Sequence, residues 1–122
     1  TFEQFLYIVI VSWKVHEGLM QINNLRNKFN LEVLQSVEES KKIGYVPTRF
    51  IQMLQQSGNN AHQVVQQLVL KESTTGLEKL WEKGRLDLSM EAIMIKPQYT
   101  ELFSEELLNI CKKKLQKYGY KF

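Results

Sequence analysis

The sequence predicts an all-α fold, a compact bundle of about six to seven short helices, on three observations. Apolar residues recur three and four positions apart along most of the chain, as in Leu107, Leu108, Cys111, Leu115 and Tyr118. The six glycines, at 18, 44, 58, 76, 84 and 119, stand alone, most of them just past such a stretch. Asn, Ser, Asp or Pro opens most of the stretches, where a side-chain oxygen or a fixed φ suits the first turn of a helix.

The first element is ambiguous. Residues 5–15 are rich in β-branched and aromatic side chains, and Val9, Val11, Trp13 and Val15 alternate as in a buried strand. Against this, Thr1-Phe-Glu-Gln4 has the form of a capping box, and Phe2, Phe5/Leu6, Val9 and Trp13 recur at helical spacing. No second strand-like run is available, so a lone strand would leave its backbone donors and acceptors unpaired. Helix is the expectation here and strand the alternative.

Gly18 is expected to break or bend this helix, after which Leu19, Ile22, Leu25 and Phe29 continue an apolar stripe. Asn30 is expected to cap a further helix carrying Leu31, Leu34 and Val37, with Glu38 and Lys42 spaced for an exposed ion pair and Gly44 as its end. Pro47 then opens a helix over 47–57, with Phe50, Ile51 and Leu54 on its apolar face and Gly58 after its last turn. Asn59 or Asn60 caps the next, in which Ala61, Val64, Val65, Leu68 and Val69 keep the helical period.

Residues 73–76 read as a loop that also supplies caps for a helix over 77–83, with Gly84 as its C-cap. Asp87 or Ser89 caps a short helix over 90–95, which Pro97 stops, and Pro97 itself begins one or two turns through Leu102. Ser104, Glu105 and Glu106 open the last helix and Lys112 to Lys117 close it, so that both ends complement the helix dipole.

A length of 122 residues fits one domain, 1–122, with residues 1–42 as an N-terminal helical segment and 43–120 as a compact helical module. With 43% hydrophobic and 24% charged residues, the composition is that of an ordinary globular chain rather than a disordered one. The apolar run Phe5–Val11 is far short of the roughly 20 residues that span a bilayer, and no positive charges precede it as in a secretory signal. A cytoplasmic protein without membrane association is expected. The chain begins at Thr1 rather than Met, as a processed product or a segment of a longer chain would.

Chemistry-bearing motifs are sparse. Cys111 is the single cysteine and His16 and His62 are the two histidines, none at zinc-ligand spacing, and the isolated glycines build no phosphate loop. No catalytic residue, metal or cofactor is therefore assigned. Cys111 shares the apolar phase of the last helix, which points to the core rather than to a nucleophile.

Two groups remain as candidate binding residues. Arg85 and Asp87 lie in a tight connection between helices, where the guanidinium would meet a phosphate, or would pair locally while Asp87 caps the next helix. The net charge of +3 is slight, but Lys112, Lys113, Lys114, Lys117 and Lys121 fall in a stretch, Leu107 to Phe122, that contains no acid. That stretch is a nucleic-acid contact or a solvated helix face. The helices either side of Gly58 offer Asn60, Gln63 and Gln67 for base edges but only Arg49 and Lys71 for phosphates, a weak basis for a sequence reader.

From Ile43-Gly-Tyr-Val-Pro-Thr-Arg-Phe-Ile-Gln-Met-Leu54, through Gly76-Leu-Glu-Lys-Leu-Trp-Glu-Lys-Gly-Arg-Leu-Asp-Leu-Ser-Met-Glu-Ala92, to Leu102-Phe-Ser-Glu-Glu106 and Tyr118-Gly-Tyr120, the chain resembles an uncharacterised bacterial helical module. Such modules occur in small proteins and at the ends of larger chains, some associated with DNA restriction or phage defence. The resemblance implies no activity and no catalytic residue. The function expected is thus a non-enzymatic interaction or accessory module linked to bacterial DNA processing or defence. Its partners would be a protein, or a second copy, at the apolar segment Phe2 to Trp13, and nucleic acid at the C-terminal lysines. The alternative is a small metal-dependent hydrolase or nuclease using Glu78, Glu82 and Asp87.

Overall fold

The computed structural model describes residues 1–71 and 75–122, and the described residues form helices without strands. The order is α1 (Phe2–Lys42), α2 (Thr48–Gln56), α3 (Ala61–Leu70), α4 (Thr75–Glu82), a 3-10 turn (Leu86–Leu88), α5 (Met90–Met94), a second 3-10 segment (Pro97–Leu102) and α6 (Glu105–Gln116). The all-α expectation holds, and the ambiguous N-terminal segment is helix.

Helix α1 is one continuous element of 41 residues, roughly 60 Å long, where a break at Gly18 and a new helix capped by Asn30 were expected. Its start is the capping box read from the sequence: Thr1 Oγ1 accepts from the Gln4 amide at 3.5 Å, while the Thr1 amine donates to Gln4 Oε1 at 3.3 Å. Gly18 does not break it. A Cβ built there would meet nothing within 4 Å, so nothing crowds the backbone away from helical φ and ψ. Asn30 likewise lies inside α1 instead of capping a successor. Lys41 pairs with Glu38 at 3.0 Å and Lys42 with Glu39 at 3.2 Å, replacing the expected Glu38–Lys42 pair with two exposed (i, i+3) pairs.

Only the C-terminal half of α1 is packed. Phe29, Val33 and Val37 are buried against α3, α5 and the Pro97–Leu102 segment. Two small residues on the same face let neighbours come close: Ser36 Oγ donates to the Leu88 carbonyl at 2.5 Å, and Ser40 Oγ to the Ser36 carbonyl at 2.9 Å. α6 closes the body against α3 and α5, contributing Leu107, Cys111 and Leu115 to the core. At the far side, Leu77 of α4 joins Ala92 and Leu115 in a smaller cluster.

Most local punctuation is as read. Ser89 accepts from the Ala92 amide at 3.1 Å and Ser104 from the Leu107 amide at 3.2 Å. Gly44, Gly58, Gly84 and Gly119 carry positive φ, and Asn59 follows Gly58 with φ 64°, so two left-handed residues in succession reverse the chain between α2 and α3. Pro47 is the residue before the first turn of α2 rather than within it. The loop expected over residues 73–76 lies partly outside the described residues; Thr75 and Gly76 belong to α4.

Candidate functional site

The two groups singled out in the sequence are placed differently. Arg85 donates from Nε to Asp87 Oδ1 at 3.0 Å and from Nη2 to Asp87 Oδ2 at 3.2 Å, a two-pronged pair that occupies both carboxylate oxygens. The guanidinium is committed locally. Ser89 rather than Asp87 caps α5.

Of the lysines, Lys112, Lys113 and Lys117 are exposed, but Lys114 is not part of a free basic face. Its ammonium donates to the Val69 carbonyl at 2.6 Å and the Lys71 carbonyl at 2.8 Å, satisfying acceptors at the C-terminal end of α3 where a positive charge also meets the helix dipole. One member of the predicted patch thus ties α6 to α3.

Neither arrangement assembles a reaction centre. Glu78 and Glu82 are exposed on α4, and Asp87 is held by Arg85. Among the described residues, no three His, Cys, Asp or Glu side chains gather as a metal site. Cys111 is fully buried, its thiol 3.8 Å from Met94 Sδ; burial foremost, then the charge of Glu91, pushes it up to about 12. His62 is a packing residue, with Nε2 2.8 Å from the Leu102 carbonyl and its ring stacked on Phe103 at 5.1 Å.

What is unusual is the other half of α1. Thirteen large apolar side chains between Phe2 and Ile22 are exposed, including Phe2 at 75% and Trp13 at 65%. Nine of them fall on two opposed stripes. Ile8, Val11, Val15, Ile22 and Leu25, spaced by three, four and seven, continue the face on which Phe29 and Val33 pack into the body. Phe2, Leu6, Val9, Trp13 and Met20 line the opposite side. Lys14, His16 and Glu17 interrupt the hydrophobicity, and among the described residues no helix is long and apolar enough to cross a membrane.

The second feature is an open cavity of about 420 Å³ bounded by the C-terminal ends of α1 and α3, by α2 and α4, and by the start of α5. Phe50, Leu68, Leu77 and Met90 supply apolar walls. Two polar groups in it were missed by sequence reasoning. Glu91, 6% exposed, is held in the carboxylic-acid form to higher pH, chiefly by burial, with its own backbone hydrogen bond and the charge of Lys114 opposing. Tyr45 is raised too, by burial and by the charge of Glu91. A Cβ on Gly76 would sit 3.1 Å from the Tyr45 hydroxyl, so a glycine there gives the phenol room. The available signal was an acid inside an apolar run, Leu88 to Ile95, and an acid in the first turn of a helix is commonly a dipole partner facing water.

Comparison of the chain with protein-family models, with curated proteins and with solved structures finds no match.

Proposed function

We propose that this chain is a non-enzymatic interaction module that associates through the exposed N-terminal half of α1, and that the element covering it is the same helix of a further copy. The observation that carries the proposal is the continuous stripe Ile8, Val11, Val15, Ile22 and Leu25, which runs on from a face already packed in the body. A helix apolar round most of its circumference is normally buried, and monomeric proteins rarely expose a patch of this extent. Residues 2–22 of α1 are also close in number to the roughly 20–30 that one side of a standard interface uses.

Three further features favour a second copy. The stripe carries no charge, so identical helices meet along it without repulsion. Gly18 lies within its spacing and leaves a hole into which a neighbouring side chain fits. Leu6, Val9 and Trp13 on the opposite side provide a second contact face, which suits a helical bundle. The setting implied by the resemblance, bacterial DNA processing or phage defence, belongs to the same proposal.

Size-exclusion chromatography with light scattering tests it. The chain is expected to run at twice its own mass or more at micromolar concentration, and a variant with Val11→Glu and Val15→Glu is expected to run as a folded monomer. A wild-type monomer at about 1 mM, far above the concentrations at which specific interfaces of this size assemble, overturns the proposal.

A further inference from the structure

Glu91 is the one buried carboxyl among the described residues. Among the described residues, no side chain donates a hydrogen bond to it; its own backbone and the charge of Lys114 are the favourable influences. An acid in an apolar surrounding without a partner is costly unless it keeps its proton or acquires a cation. It lines the cavity described above together with the Tyr45 hydroxyl, which also has no hydrogen-bond partner among the described residues. The two serines of the cavity wall are already satisfied, Ser40 by the Ser36 carbonyl and Ser89 by the Leu86 carbonyl and the Ala92 amide. A carboxyl and a phenol are therefore among the polar groups left inside.

Among the described residues, the charged side chains at the rim of the cavity have the opposite sign. Arg49, Lys71 and Lys79 line the same cavity and are exposed, and no acidic side chain other than Glu91 lines it among the described residues. A volume of about 420 Å³ is within the range of small-molecule sites, and such sites are mostly apolar with a few convergent polar groups. A cation alone would be repelled by the outer bases, and an anion alone would leave the buried carboxyl unpaired.

We propose that this cavity binds a small zwitterion, with an ammonium group at Glu91 and Tyr45, an apolar chain along Phe50, Leu68, Leu77 and Met90, and a carboxylate at Arg49 and Lys79. The ammonium adds a charged donor to the single one that the Glu91 backbone supplies, and the apolar chain fills walls that otherwise face water. The ammonium draws the Glu91 carboxyl into its charged form by supplying the cation, and the carboxylate of the ligand meets the exposed bases at the rim. The site is independent of the association of α1, which involves other residues.

The test uses 6-aminohexanoate as probe, with hexanoate and hexylamine as single-charge controls, and reads binding from backbone amide shifts of the full chain in nuclear magnetic resonance titrations. A probe with so few heavy atoms is expected to bind in the millimolar range, with saturable shifts at residues 45–50, 77–80 and 88–91. Each control is expected to bind about tenfold more weakly or worse, as loss of one charge-assisted contact implies. Glu91→Gln, which keeps the size of the side chain, is expected to weaken the probe about tenfold, and the exposed substitution Lys79→Glu to weaken it as well. Lack of saturable binding, equal binding of hexylamine, or unchanged binding by both variants overturns the proposal.

Discussion

The Asn30 side-chain oxygen accepts a hydrogen bond of 2.9 Å from the backbone amide of His62, so a residue in the middle of α1 satisfies a first-turn donor of α3. The Asn60 side chain makes no capping bond to α3, and Asn30 supplies a partner from 32 residues away. Replacing Asn30 by Ala is therefore expected to cost about 1 kcal/mol, the ordinary worth of a cap, although α1 itself loses nothing. Urea denaturation of the two proteins measures it. An unchanged midpoint would mean that water replaces the asparagine without loss.

The two halves of α1 make a controlled comparison of one residue type. Phe29 is fully buried, with edge-to-face contacts at 5.2 Å to Tyr99 and 5.1 Å to Phe103, whereas Phe5 is 63% exposed on the projecting half. Phe29→Ala is expected to destabilise by about 3–5 kcal/mol and Phe5→Ala by under about 0.5 kcal/mol in a dilute monomer. Equilibrium unfolding at low concentration separates them. Comparable losses would show that the N-terminal half is already packed against something.

Glu91 gives the fold a pH dependence with a definite sign. Its folded-state pKa is raised above the ordinary carboxylate value, so between the two values the native state holds a proton that the unfolded chain has released. Stability is then fully present below the unfolded value and falls as pH rises toward the folded one, by up to about 1.4 kcal/mol per pH unit for one proton. Lys114, whose charge lowers the pKa of Glu91, narrows that window from above. Glu91→Gln removes this contribution, so unfolding midpoints measured from about pH 5 to pH 8 are expected to decline less in the variant than in the wild type. Parallel profiles would show that Glu91 does not carry the dependence.

Asn30 and Glu91, with Gly18 and Lys114, also mark how far the sequence could be read. Helix type, the caps at Thr1, Ser89 and Ser104, and the apolar faces of α3 and α6 follow from spacing, because each depends on neighbours within one or two turns. Gly18 misled because glycine lowers helix stability without forbidding a helix, and the strong helix on either side carries through it. Asn30 was read as a local cap when its target is in another helix, and Lys114 as one of a charged row when its ammonium reaches two carbonyls of α3 and its exit. Glu91 was hidden for the same reason: whether an acid in a first helical turn faces water or a cavity is decided by α2 and α4, which are distant in sequence.

Cys111 supplies the last test, because it bears on whether the body opens. The thiol lies in the core beside Met94, fully buried, and its pKa of about 12 leaves a negligible thiolate fraction at neutral pH. Both the missing thiolate and the surrounding side chains block a disulfide reagent. Reaction with such a reagent is therefore expected to occur only through opening of the fold, and to accelerate in step with urea as the unfolded fraction grows. In the native protein the rate should fall at least about a thousandfold below that of the unfolded chain, in line with the small populations that open states have. Modification at the rate of a free thiol under native conditions would place Cys111 at an accessible surface and remove α6 from the core, and with it the support that Lys114 gives to the end of α3.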